Sequence, residues 1–132
     1  MDHPLYPPPG GDIARKRRQL APDTLTAFQA FSRQVFADGA LPTKTKQLLA
    51  VAVAHTTQCP YCIRGHTEGA LAAGASEAEI MEAIWVAAEM RAGAAYAHSG
   101  LAIDTMLQHA HGDGAARDPG PEKRRTDTHP GQ

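Results

Sequence analysis

From Leu25 onward the apolar residues recur every three or four positions, and the interruptions between them are helix stop and start signals. Leu25, Phe28, Phe31, Val35 and Phe36 share one side of a helix that the pattern places from about Pro22 or Asp23 to Asp38, with Gly39 ending it. A second helix begins after Leu41, where Pro42 suits a first-turn position, and carries Leu48, Leu49, Val51, Ala52 and Val53. A third helix is expected to end at Gly74. A fourth opens on "SEAE", in which Ser76 and Glu79 stand at capping-box spacing, and continues through Ile80, Ile84, Val86 and Met90 to Gly93. A fifth, about Ala94 to His109, carries Tyr96, Leu101, Ile103, Met106 and Leu107. No β-branched alternating run competes with these segments. The pattern predicts an all-α fold, a compact bundle of about five helices.

The ends of the chain lack this pattern. "HPLYPPPGG" is built largely from Pro and Gly, and the stretch after His111 contains no Val, Ile, Leu, Met or aromatic residue to bury. Neither end offsets the entropy of ordering. Residues 1–19 and 112–132 are therefore expected to be disordered tails flanking a folded domain over 20–111. The basic cluster Arg15 to Arg18 reads as a solvated lead-in to the first helix. A core of roughly 90 residues is marginal in burial. Its Ala-rich stretches, such as "LLAVAVAH" and "WVAAEMRAGAAYAH", bury little area each. Such a surface predicts a homo-oligomer.

Charge and compartment narrow the function. The 132-residue chain has a formal net charge of -1, which supplies no global field for nucleic acid or a membrane surface. No apolar run follows the basic residues near the N-terminus, and no segment approaches transmembrane length. A soluble cytoplasmic protein is expected. In that compartment thiols are kept reduced, so a close cysteine pair points to catalysis or metal binding rather than to a structural staple.

The only two cysteines form such a pair, in "QCPYCIRGH". Pro60 lacks an N–H and belongs in a helix first turn, which makes Cys59 the N-cap and places Cys62 in the first turn. A thiol there faces unpaired N–H groups and the positive end of the helix dipole, both of which favour thiolate. His66 lies four residues beyond Cys62, on the same helical face, where an imidazole can take the thiol proton. Cys62 is thus the better candidate for the attacking sulfur. Cys59, at the helix edge, is placed to exchange with an outside partner or to resolve an oxidised Cys62. Two other readings stand beside redox chemistry. His55, Cys59, Cys62 and His66 make a possible zinc set, though all four fall within one short segment and Pro60 interrupts it. Inert buried thiols are the third.

Together, "KTKQLLAVAVAHTTQCPYCIRGHTEGALAAGASEAEIMEAIWVAAEMRAGAAYAHSG", Lys44 to Gly100, resembles the carboxymuconolactone decarboxylase superfamily, in its AhpD-like alkylhydroperoxidase branch. The resemblance rests on the CxxC-x3-H element between an apolar helix and the "GAS-E-EI-EAI" helix. It implies an all-helical fold assembling into trimers or hexamers. It also implies reduction of hydroperoxides through a cysteine sulfenic acid and a Cys59–Cys62 disulfide, with no other cofactor. A dithiol donor, such as a lipoylated or thioredoxin-like protein, would reverse the disulfide. By this resemblance Cys62 is the sulfenic-acid cysteine, Cys59 the proton donor and resolving partner, and His66 the relay histidine. The superfamily's decarboxylases lack the cysteine pair, so the resemblance favours decarboxylation less; a decarboxylase-type enzyme and a non-catalytic redox sensor or scaffold are kept as alternatives.

This chain departs from the branch at two positions. Gln47 stands where the family usually has a glutamate that strengthens the histidine as a base, and Tyr61 where the best-known members carry a second histidine. An amide orients an imidazole but does not share its proton. A slower or differently tuned thiol oxidoreductase is expected. Among the secondary candidates, Glu89 is a possible substitute carboxylate, although Glu82 and Glu89 also fit one solvated stripe. His55 suits a helix C-terminus without any catalytic role. His98 and Tyr96 are further pocket candidates, and Trp85 reads as core or subunit interface.

Overall fold

The structure is a computed structural model that describes residues 4–115. Five helices, and no strand among the described residues, make up the fold: α1 (Gly11–Leu20), α2 (Pro22–Phe36), α3 (Thr43–Thr57), α4 (Pro60–Ala72) and α5 (Glu77–Ala115). The all-α expectation holds, but the expected boundaries differ in three places. Residues 11–19, expected to be part of a disordered lead, belong to α1, which ends at Leu20. Asp12 in its first turn pairs with Arg15, and Arg17 and Arg18 in its last turn complement the helix dipole. The fourth and fifth expected helices are one. Gly93 lowers helix propensity by about 1 kcal/mol relative to Ala, yet neither a left-handed turn nor a polar cap follows it in "AAYAHS", so α5 continues. The expected tail from residue 112 overlaps the end of α5, and its remainder, 116–132, lies outside the described residues.

The chain divides into two units at Gly93, with α5 running through the division. In the first unit a small core of Val51, Ala70, Ala75 and Ile80, flanked by Leu48 and Ile84, joins α3, α4 and the start of α5. Val51 is the one large side chain fully buried among the described residues. In the second unit, residues 94–114 are exposed throughout, including Tyr96, Leu101, Ile103, Met106 and Leu107.

The turns between helices are tightly specified. Asp38 Oδ1 accepts from the Thr43 backbone N–H at 2.7 Å, which caps α3 in place of Pro42. Thr43 Oγ1 donates to the carbonyl of Phe36 at 2.8 Å, and Lys46 Nζ to that of Ala37 at 2.6 Å. The end of α2 is thereby pinned to the first turns of α3. At the end of α4, Gly74 takes φ 92° and the Ala75 N–H donates to the Ala70 carbonyl at 2.9 Å, a Schellman turn with buried Ala70 and Ala75 as its apolar pair. The capping box on α5 is reciprocal: Ser76 N–H donates to Glu79 Oε1 and Glu79 N–H to Ser76 Oγ, both at 3.0 Å. Lys44 of α3 pairs with Glu79 at 2.9 Å and ties α3 to this helix start.

Candidate active site around Cys62 and His66

The chain reaches the cysteines through a second Schellman turn. Gln58 takes a left-handed conformation, φ 56° and ψ 48°, after α3, and the Cys59 N–H reaches back to the Ala54 carbonyl at 3.1 Å. Arg91 Nη1 donates to the Thr56 carbonyl at 2.7 Å, satisfying another orphan group of that helix end. α4 then starts at once. Cys59 is its N-cap, with Sγ accepting from the Cys62 N–H at 3.3 Å, and Pro60 occupies the first turn, as the residues predicted. Cys59 and Cys62 are joined as a disulfide with Cα atoms 5.2 Å apart, inside the ordinary range for such a bond.

Cys62 and His66 line one open cavity of about 520 Å³, together with Tyr61 of α4, Gln47 of α3, and Arg33 and Phe36 of α2. His66 is held from two sides. Its Nδ1 lies 2.8 Å from Gln47 Oε1, and its ring stacks on Phe36 with centroids 5.0 Å apart and planes 26° from parallel. A carbonyl oxygen only accepts, so Nδ1 carries the proton and the neutral imidazole keeps its lone pair on Nε2. That leaves Nε2 as the nitrogen able to take a proton within the cavity it shares with Cys62.

Gly69, one turn beyond His66, makes this contact possible. A Cβ there would lie 2.6 Å from Gln47 Oε1 and 2.8 Å from its Cδ, closer than real Cβ atoms approach. Only the missing side chain lets the amide lie across α4 and meet the imidazole.

The other candidates fall elsewhere. His55 ends α3 with Nδ1 donating to the Val51 carbonyl at 2.7 Å, a bond that occupies it within its own helix. Glu89 is exposed on α5 and does not line the Cys62 cavity, and His98 is exposed in the second unit. Among the described residues no group of three or more His, Cys, Asp or Glu side chains is placed to hold a metal ion. Sequence reasoning missed Arg33, Phe36 and Gly69. Phe36 continues the apolar stripe of α2, and periodicity does not separate a core ring from one stacked on a histidine. Gly69 offers no signal until its neighbour across the helix pair is known.

A model of the carboxymuconolactone decarboxylase family matches residues 22–105. The chain belongs to this family. Its helices superpose on a family member from Legionella pneumophila with a TM-score of 0.56 and 35% identity, over 58% of this chain and 69% of that one. A protein from Methanobacterium thermoautotrophicum gives a TM-score of 0.59 at 36% identity, over 63% of this chain and 93% of that one. In sequence, the chain is 69% identical over 80 residues to the Paracoccus denitrificans protein called uncharacterized protein 4 in cox locus, which spans 61% of this chain and 72% of that one. The family match begins at α2, so α1 and the segment before it lie outside it.

Proposed function

We propose that this chain is a thiol-dependent hydroperoxide reductase of the AhpD-like kind, with Cys62 as the attacking sulfur, Cys59 as the resolving one and His66 as the base. One observation carries the reading: Cys62, bonded to the helix-capping Cys59, lines the same cavity as His66, whose Nδ1 is engaged by Gln47. In the reduced protein, Nε2 of His66 takes the Cys62 proton. The thiolate attacks the terminal oxygen of ROOH, the O–O bond breaks, and the alkoxide leaves as ROH with the proton from His66. Cys62 is oxidised to the sulfenic acid. The Cys59 sulfur then attacks Cys62, water leaves, and the disulfide closes. A dithiol, of the lipoyl or thioredoxin type, restores both thiols by exchange and is itself oxidised.

With Gln47 in place of a carboxylate, the imidazolium formed in the first step is stabilised by a dipole rather than a charge, and turnover is slower for that reason. Self-association completes the proposal. Phe28, Phe31, Trp85, Val86 and Met90 are each about 60% or more exposed on α2 and α5, more apolar surface than a monomer of this size leaves bare. No helix of the described residues is long and apolar enough to cross a membrane. A cytoplasmic setting fits the need for a dithiol donor. The test is steady-state peroxide consumption with dihydrolipoamide. Wild type consumes peroxide, while Cys62→Ser and Cys59→Ser do not and keep their helical circular dichroism. Equal consumption by wild type and Cys62→Ser removes the peroxidase.

A further inference from the structure

Tyr61, between the two cysteines, is a wall of two cavities. One contains Cys62 and His66. The other, about 430 Å³ and more enclosed, is lined by Pro7, Pro8, Pro9, Ile13, Arg17 and Tyr61. Tyr6 packs edge-on against Tyr61, with centroids 6.0 Å apart and planes at 87°, which seats the proline segment beside the redox pair. Everything in this second cavity except Tyr61 comes from residues before the family match.

Its chemistry is one-sided. Three prolines, Ile13 and the Tyr61 ring supply rigid apolar walls, and Arg17 supplies the only charge. The acid nearest in sequence, Asp12, is engaged by Arg15, and Arg17 pairs with no acid among the described residues. A guanidinium beside an apolar wall matches a planar monoanion at the end of a hydrocarbon chain, because the fork of N–H groups meets both oxygens of a carboxylate.

From this arrangement we infer that the N-terminal segment forms a subsite for an aliphatic carboxylate. The carboxylate pairs with Arg17, the chain lies along Pro7–Pro9 and Ile13, and the remainder crosses Tyr61 toward Cys62. Resting on the peroxidase reading, the inference names the substrate class: a long-chain hydroperoxide bearing a carboxylate, in preference to hydrogen peroxide.

The subsite is tested first without turnover. Calorimetric titration of the full-length oxidised protein with decanoate gives binding, and decan-1-ol binds more weakly. Arg17→Gln lowers decanoate affinity about two- to fivefold, the loss of one charge-assisted contact at an exposed site, and Arg17→Lys recovers part of it. Arg15→Gln leaves it unchanged. Absent binding, equal affinity for acid and alcohol, or a loss confined to Arg33→Gln would each overturn the subsite. The second arm compares kcat/KM for linoleic acid hydroperoxide and its methyl ester. Wild type prefers the acid, Arg17→Gln loses the preference, and consumption of hydrogen peroxide is the same in both proteins. An unchanged preference in Arg17→Gln refutes the substrate assignment. Decanoate binding does not depend on peroxide chemistry, so failure of the subsite with intact peroxide turnover is distinguishable from failure of the enzyme.

Discussion

Gly69→Ala isolates the positioning of His66 from the stability of the fold. The added Cβ falls 2.6 Å from Gln47 Oε1, 2.8 Å from Cδ and 3.1 Å from Nε2, all atoms at the far end of a flexible side chain. The backbone has no cause to move. The amide swings away and the 2.8 Å bond to His66 Nδ1 is lost. Two terms then oppose each other in stability. Alanine replaces glycine inside α4, worth up to about 1 kcal/mol in its favour. The lost bond costs about 0.5–1.5 kcal/mol. The net is close to zero, so the thermal midpoint shifts by no more than a few degrees. Reactivity has no such compensation. An imidazole freed from its partner samples the wrong tautomer and ring angle, and the same roughly 0.5–1.5 kcal/mol appears as a 2- to 13-fold slower reaction of Cys62. The assay is alkylation of the reduced protein by iodoacetamide at pH 7, with peptide mapping to read Cys62 separately, alongside thermal denaturation. Unchanged Cys62 alkylation with an intact fold refutes the claim that Gln47 positions His66. A fall in alkylation explained by unfolding would appear in the melt.

Gln47→Glu places a charge where the dipole now sits. It raises Cys62 alkylation and peroxide turnover severalfold, on the order of the 1 kcal/mol by which a charged acceptor exceeds a neutral one, and an unchanged rate would show that this position does not tune the relay. Asp38→Ala frees the Thr43 N–H and loosens the turn that holds Phe36, so the melting temperature falls and Cys62 alkylation slows with it. The Ser76 N–H, and after it Lys44, hold the Glu79 carboxyl below the ordinary glutamate value of 4.5. A carboxyl lowered in the folded state stabilises above its unfolded value, and that contribution is lost as pH falls through the folded value. The stability difference between wild type and Glu79→Gln is therefore present at neutral pH and shrinks below about pH 4.5, as chemical denaturation at several pH values would read.

Helix spacing, Pro60 and the "SEAE" cap make most of the fold legible in the sequence, because each acts within a few residues. Cys59 as N-cap and the reciprocal Ser76–Glu79 box follow from such local rules. What stayed hidden depends on partners distant in sequence. Gln47 and His66 are nineteen residues apart and meet only once α3 lies against α4. Phe36 reaches His66 because Asp38, Thr43 and Lys46 fold the end of α2 back onto α3. α1 lacks an apolar stripe strong enough to announce it, and its Asp12–Arg15 pair is a feature that a reading focused on burial passes over. Gly93 looked like a terminator, yet a glycine ends a helix only where the chain turns left-handed, as at Gly74.

The measurement closest to the central claim is the rate of Cys62 alkylation in the reduced protein across pH, in wild type and His66→Ala. The account predicts that near neutral pH wild-type Cys62 reacts faster than a free thiol and faster than Cys59, and that His66→Ala removes most of that advantage while Cys59 is unaffected. Free-thiol behaviour of both cysteines, the same in the two proteins at every pH, would contradict it.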